Sequence, residues 1–400
     1  MVLPIPLVIT NKRVFVMHGK LNVPKSMFEK VLEGPPFGED HSKQIMEAIH
    51  SGLIPREEIA FIPLKYLDRT NIPGVSAANI LTPSLQGYKP FRYDFGYDTF
   101  KRQNDIAWLP DHIPMGDDMR DWKTKLSDSE RHLMTNIFPL FVQNDLMVNN
   151  VYIHQYGKLF LPNEIQMAIS AIANAESVHQ AAYAYLLDSL SFPENTYSAF
   201  LSYKEMSDKY NYTAGFDTNT LMGIAVALVM FGGMTEGLQL FATFAIMMNF
   251  PRRNMLKGMG QVVSWSVRDE SLHVEFVANI FKHFMIEFGH LIPMDLLTEA
   301  VNKGTRDIVN FENTFTDMAF GTGKIDGMTP ESHKQFVKFI ANSRLGQFGF
   351  KPIYEETVNP YPWLDSVLGS MELGNFFETT PSDYTRHSTT GTWEDAWAAY

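Results

Sequence analysis

The chain has 400 residues, 45% hydrophobic and 20% charged, which supplies a large core and excludes a disordered polypeptide. Asp and Glu outnumber Lys and Arg by 45 to 33, and the net charge of −12 argues against a general nucleic-acid binder, which needs a basic face. There is no cysteine, so disulfides, thiolate zinc sites, cysteine-ligated iron–sulfur clusters and cysteine nucleophiles are excluded, and any bound metal must be held by His, Asp and Glu.

Met1–Thr10 is apolar but lacks the basic region of a secretory signal, so a cytoplasmic protein is expected. Residues 1–95 read as an irregular N-terminal extension. Val14–Val23 suits a hairpin turning at His18-Gly19, Glu39–His50 suits a short helix, and prolines from Pro4 to Pro83 keep the elements short. A helical core is expected over 96–350. Ser127-Asp-Ser-Glu130 is a capping box that opens a helix to about His154, which Pro139 is expected to kink. Asn163 is expected to cap the next helix, to about Leu190, and Thr196–Tyr210 to form a shorter one. An apolar helix follows over 221–248. Pro251 suits the start of the helix after it, which runs to about Phe288 and stops near Gly289. Two more helical stretches lie near 293–317 and 330–347. Residues 351–400 read as a C-terminal segment with a flexible tail: Thr379–Thr392 is rich in Ser and Thr, and Trp393–Tyr400 carries aromatic anchors suited to docking on a partner.

Leu221–Met248 is long enough to span a bilayer, but Glu236 would then lie at membrane depth, where an acid is costly. Gly232, Gly233, Thr235, Gln239 and Thr243 also make it less oily than a span. A helix apolar all round is otherwise central in a large protein. The question becomes why it buries a carboxylate.

Glu-x-x-His puts both side chains on one helix face, and facing helices that each carry such a pair, with one acid from each of two more, form a di-metal carboxylate site. Four such pairs occur. Glu47/His50 lies in a short helix and Glu287/His290 straddles Gly289 at a helix end, so both read as surface or helix-end features. Glu176/His179 and Glu270/His273 lie inside long apolar helices. Asp145 precedes Glu176 by 31 residues and Glu236 precedes Glu270 by 34, intervals that two helical hairpins accommodate with the acids at similar heights. Four buried carboxylates cannot all stay ionised without cations, and a carboxylate–imidazole set suits iron or manganese. The bland alternative is a network paired with Arg268 or a lysine. Tyr183 follows Glu176 by seven, on the same face, and Leu240 and Phe244 on the facing helix are placed to shield it from water.

Asp145, Glu176-x-x-His179, Tyr183, Glu236 and Val267-Arg-Asp-Glu-Ser-Leu-His273 together resemble the class I ribonucleotide reductase small, radical-generating subunit, over about residues 105–365. Asn359-Pro-Tyr-Pro-Trp363 and Asn375-Phe-Phe-Glu378 are similar to the family's C-terminal segment. The resemblance implies an all-α, ferritin-like bundle with two metal ions per chain, iron before manganese. Asp145, Glu176 and His179 would hold one ion and Glu236, Glu270 and His273 the other, with Glu176 and Glu270 bridging. Tyr183 would carry a radical for the large subunit, which reduces ribonucleotides to deoxyribonucleotides. Asp269 would link a ligand histidine to Trp108, with Trp122 in reserve, and Tyr384 rather than Tyr400 would relay the radical in the tail. A homodimer that docks on the large subunit through its tail is implied, with neither nucleic acid nor membrane as partner. The same ligands would also serve a di-metal oxygenase of hydroxylase or desaturase type, which needs an open pocket at Tyr183, Leu240 and Phe244, or a non-enzymatic metal-storage protein, which favours a hollow shell.

Overall fold

The computed structural model describes residues 7–10, 13–16, 19–24, 39–84, 87–194, 216–321 and 325–366. Near the N-terminus, β1 (Leu7–Thr10), β2 (Arg13–Val16) and β3 (Gly19–Pro24) form an antiparallel sheet in that order. Val14 opposes Val23 and Val16 opposes Gly19, so the expected hairpin is present and reverses between Val16 and Gly19. Helix α1 covers Glu39–His50, as its pattern predicts.

The helical bundle comprises α2 (Asp94–Asp105), α3 (Gly116–Thr124), α4 (Asp128–Val151), α5 (Asn163–Ser189), α6 (Leu221–Arg252), α7 (Lys257–Phe288), α8 (Met294–Phe320) and α9 (Pro330–Gln347). The capping box of α4 forms: Ser127 N donates to Glu130 Oε2 at 2.9 Å, and Glu130 N donates to Ser127 Oγ at 3.3 Å. Helix α4 runs unbroken past Pro139 and then widens into a π-helical turn at Tyr152–Tyr156. Pro162, not Asn163, occupies the cap position of α5; Asn163 is its first helical residue and donates Nδ2–H to Gly87 O at 2.7 Å. The expected helix over 196–210 lies outside the described residues.

Helix α6 is a core helix. The hydropathic window that could suggest a span is 89% buried, because α7, α8 and α9 pack around it. Its middle, Val229–Gln239, is π-helical and carries Glu236. π segments are frequent at functional sites. Gly232 lets α7 approach closely: a Cβ there would lie 2.5 Å from Val277 Cγ1. The carbonyl of Gly237 is bonded from outside the helix by Arg344 Nε at 2.8 Å. Pro251 falls in the last turn of α6 and not at the start of α7. The reversal is instead made by Asn254 and Leu256, in the left-handed region at φ 61° and 48°. Residues after α9 return along it: Asn342 Oδ1 accepts from Ile353 N and Tyr354 N, and Tyr361 OH meets Ser332 Oγ at 2.9 Å.

Candidate metal centre

Helices α4, α5, α6 and α7 each direct side chains to one point. Asp145 comes from α4, Glu176 and His179 from α5, Glu236 from the π segment of α6, and Glu270 and His273 from α7. None of the six is more than 1% exposed. Their donor atoms form two overlapping groups, Asp145–Glu176–His179 and Glu176–Glu236–Glu270–His273, within each of which one atom from every residue lies within 4.8 Å of the others.

The two Glu-x-x-His acids share their oxygens between both histidines. Glu176 places Oε2 3.6 Å from His179 Nδ1 and Oε1 2.9 Å from His273 Nδ1. Glu270 places Oε1 3.3 Å from His179 Nδ1 and Oε2 3.3 Å from His273 Nδ1. The opposite ring nitrogens are engaged elsewhere: His179 Nε2–H donates to Asp269 Oδ2 at 3.0 Å and His273 Nε2–H to Gln103 Oε1 at 3.2 Å. A neutral ring that donates from Nε2 keeps its lone pair on Nδ1. Two lone pairs then face carboxylate oxygens, an arrangement that needs positive charge between them.

Charge balance points the same way. Asp145 Oδ2, both oxygens of Glu176, Glu236 Oε1, Glu270 Oε2 and both Nδ1 atoms are buried without a hydrogen-bond partner. Burial, and then the charge of Glu176, pushes Asp145 well up; burial, and then Glu270, does the same to Glu236. Burial would raise Glu270 too, but His273 and His179 at its oxygens outweigh it and hold it at about 2. Burial would lower both histidines, yet Asp269, Glu176 and Glu270 push His179 well up, and Glu270 and Glu176 do so for His273. The cluster thus draws protons where cations would serve. All donors are oxygen or nitrogen, a set suited to iron or manganese. Arg268, the alternative counter-ion, instead donates to Ile106 O at 2.6 Å, and among the described acids it pairs with Asp269 alone, at 3.7 Å.

Tyr183 is 1% exposed and donates to Ser266 Oγ at 3.2 Å. Leu240 and Phe244 are each 2% exposed, so the place where an oxygenase would want an open pocket is packed. Trp108, in the loop after α2, donates Nε1–H to Asp269 Oδ2 at 2.8 Å, the same oxygen that takes the His179 proton. Trp122 packs instead against Phe138 and Phe192 and has no place in this chain of contacts. Tyr384, Tyr400 and Trp393 lie outside the described residues. Of the other two Glu-x-x-His pairs, Glu47 and His50 are exposed, and Glu287 accepts from Tyr93 OH and Ile80 N.

Sequence reasoning missed Tyr152, whose hydroxyl donates to Glu236 Oε2 at 3.0 Å. It also missed Gln103, Ser266 and Trp265, whose ring centroid lies 5.1 Å from that of Trp108. A signal for Tyr152 was present: it follows Asp145 by seven, as Tyr183 follows Glu176.

The family described as ribonucleotide reductase, small chain, matches residues 86–360. A protein named "Probable ribonucleoside-diphosphate reductase small subunit" from Invertebrate iridescent virus 6 is 37% identical over 347 residues, 78% of this chain and 96% of its own length. The ribonucleoside-diphosphate reductase subunit beta of Chlamydia pneumoniae is 25% identical over 335 residues, 80% of this chain and 95% of its own. Among solved structures, the ribonucleotide reductase R2 subunit from Clostridium botulinum superposes with a TM-score of 0.64 at 19% identity, covering 71% of this chain and 91% of that one. The dimanganese(II)-NrdF of Streptococcus sanguinis gives 0.61 at 18%, covering 72% and 100%. At these identities the structural likenesses speak for the fold.

Proposed function

This chain belongs to the ribonucleotide reductase small-chain family and serves ribonucleoside-diphosphate reduction as its small subunit, and on that premise we propose how its residues carry the role. Asp145, Glu176 and His179 would hold one metal ion and Glu236, Glu270 and His273 a second, with Glu176 and Glu270 placed to offer oxygens to both. The observation that carries this is the division of the oxygens of Glu176 and Glu270 between the two histidines. We take iron as the occupant, with manganese accepted by the same donors; the dimanganese relative is in keeping with the latter.

When bound, the metal pair supplies the one-electron oxidising power that turns a phenol into a phenoxyl radical. Tyr183 is the residue oxidised. Its burial and the packing of Leu240 and Phe244 keep water and stray reductants away. Asp269 orients His179 by accepting its Nε2 proton and fixes Trp108 through the same oxygen, which makes a continuous contact from a metal ligand to an indole. Trp108 passes the oxidising equivalent outward, and Tyr384 relays it in the tail.

Residues 1–95 are an extension, 96–350 the functional core, and 351–400 the segment that leads to the large catalytic subunit, with Trp393–Tyr400 docking there. The active form is a homodimer in the cytoplasm. Since the chain has no cysteine, it cannot supply a thiyl radical to substrate, which fits a radical donor that needs a partner.

The test is metal analysis with electron paramagnetic resonance on the loaded protein. Two ions per chain and a tyrosyl signal are expected. Tyr183→Phe should keep both ions and lose the signal; an unchanged signal in that variant overturns the assignment of Tyr183.

A further inference from the structure

The π segment of α6 that carries Glu236 also carries Gly232, Gly233 and Gly237, although glycine is a poor helix former. Each is where another element comes close. A Cβ at Gly232 would meet Val277 of α7, one at Gly233 would lie 3.2 Å from Phe348 Cε2, and one at Gly237 would lie 2.7 Å from Arg344 Nε. Arg344 lies in the last turn of α9 and Phe348 just beyond it, so the end of α9 is seated on the segment that holds a proposed metal ligand. Arg344 is a costly occupant of that seat. It is half-buried, with its guanidinium 4.6 Å from the centre of the Phe241 ring. Burial lowers its pKa to about 10, and no acid among the described residues offsets this. A methionine would fill the space without burying charge. What the arginine adds is a donor: its Nε–H bonds the carbonyl of Gly237 at 2.8 Å, at the residue next to Glu236. Glu236 is thus held from two directions, by Tyr152 at its carboxylate and by Arg344 at the adjoining peptide.

We infer that Arg344 is a positioning residue for the second metal site: its hydrogen bond to the Gly237 carbonyl fixes the register of the π segment and so keeps Glu236 turned to the cluster. The inference rests on the proposed role of Glu236 as a ligand. Arg344 touches no donor atom of the centre and acts through the backbone. A π segment departs from the regular helical ladder, and a carbonyl bonded from a neighbouring helix pins it in place. Loss of that bond frees the peptide after Glu236 to turn, and the carboxylate with it. Asp145, Glu176 and His179, on α4 and α5, have no such dependence on α9.

Manganese(II) is titrated calorimetrically into the metal-free full-length protein. Wild type should show two sites, and Glu236→Ala should lose one. Arg344→Met puts a methyl group at the reach of Nε, without a donor. It should weaken the Glu236 site by about tenfold, the low end of what losing an outer hydrogen bond costs, and leave the other site unchanged. In the Glu236→Ala background, the remaining site should not respond to Arg344→Met. Arg344→Gln puts an uncharged amide N–H at that same reach and should restore the affinity. Gly237→Ala displaces the guanidinium from the opposite side; it should weaken the same site and add nothing to Arg344→Met in the double variant, and it carries the test if Arg344→Met does not fold. Wild-type affinity at both sites in Arg344→Met and Gly237→Ala overturns the inference. So do equal losses at both sites, which mean a general loosening, and a Gln variant as weak as the Met variant, which means that charge or packing acts and the bond does not. In each of these cases the loss of a site in Glu236→Ala leaves the ligand assignment standing. Two intact sites in Glu236→Ala overturn that assignment and the present inference with it.

Discussion

Tyr152 donates its hydroxyl to Oε2 of Glu236 across 3.0 Å, which leaves Oε1 of that carboxylate as the oxygen turned to the cluster without a hydrogen-bond partner. The phenol therefore selects which oxygen of Glu236 is offered to a cation. Its ring stands edge-on to His273, 6.2 Å between centroids, and to Tyr156, 5.7 Å away.

Tyr152→Phe should keep the packing and lose the orientation of Glu236. Removing an outer hydrogen bond to a ligand typically costs about 10–100-fold in metal affinity. Calorimetric titration of the metal-free protein with manganese(II) should show one of the two sites weakened by that order. Unaltered affinity at both sites would mean that Glu236 needs no help from the phenol.

Asp269→Asn replaces an acceptor that takes two protons on one oxygen with a group that must also donate. His179 or Trp108 then loses its partner. Metal affinity should fall by about 10–100-fold, and nucleotide reduction with the large subunit should fall further than the tyrosyl signal does. Parallel losses of signal and turnover would place Asp269 in metal binding alone.

The metal-free protein should lose stability as pH rises. His179 and His273 are pushed above their ordinary 6.5, and Asp145 and Glu236 above 3.8 and 4.5. Groups whose folded pKa is raised stabilise fully below the unfolded value and lose that contribution as pH climbs through the folded one. Glu270, held at about 2, has the opposite sign, but its contribution fades only as pH drops from 4.5 toward 2. Melting curves taken upward from pH 6.5 should therefore show a falling midpoint without metal and a flat one with it, since metal ions displace the protons. Equal slopes in the two forms would refute the exchange of protons for metal.

His333 acts in the other direction. Both ring nitrogens are buried without partners among Phe320, Phe336 and Tyr361, and burial lowers its pKa from 6.5 to about 3. The unfolded chain takes up a proton near 6.5 that the folded chain refuses until about 3. Stability should thus fall with decreasing pH across that window, by up to about 1.4 kcal/mol per unit from this residue. His333→Phe should flatten the urea-midpoint profile between pH 7 and pH 5; an unaltered slope assigns the acid sensitivity elsewhere.

Much of the centre was legible because its information is local. Glu176 with His179, Glu270 with His273 and Glu176 with Tyr183 share helix faces by periodicity alone, and the capping box at Ser127 and the end of α7 at Phe288 are written in a few adjacent residues. Pro251 misled for a different reason: a proline's cost depends on what surrounds the helix, and Pro251 falls in the last turn of α6 and not at the start of α7. Asn163 misled because Pro162 takes the cap and Gly87 takes the asparagine.

By itself the sequence determined the six donor types, their helical intervals and the need for cations to offset buried acids, since helical period and the cost of burying charge follow from residue identity. Only the tertiary structure decided which oxygen faces which nitrogen, that Asp269 joins His179 to Trp108, that Trp265 lies on Trp108, and that Tyr152 reaches Glu236. Those relations span separate helices and a π segment, and distances across a bundle are set by how side chains such as Val277 pack on Gly232, which no interval along the chain encodes.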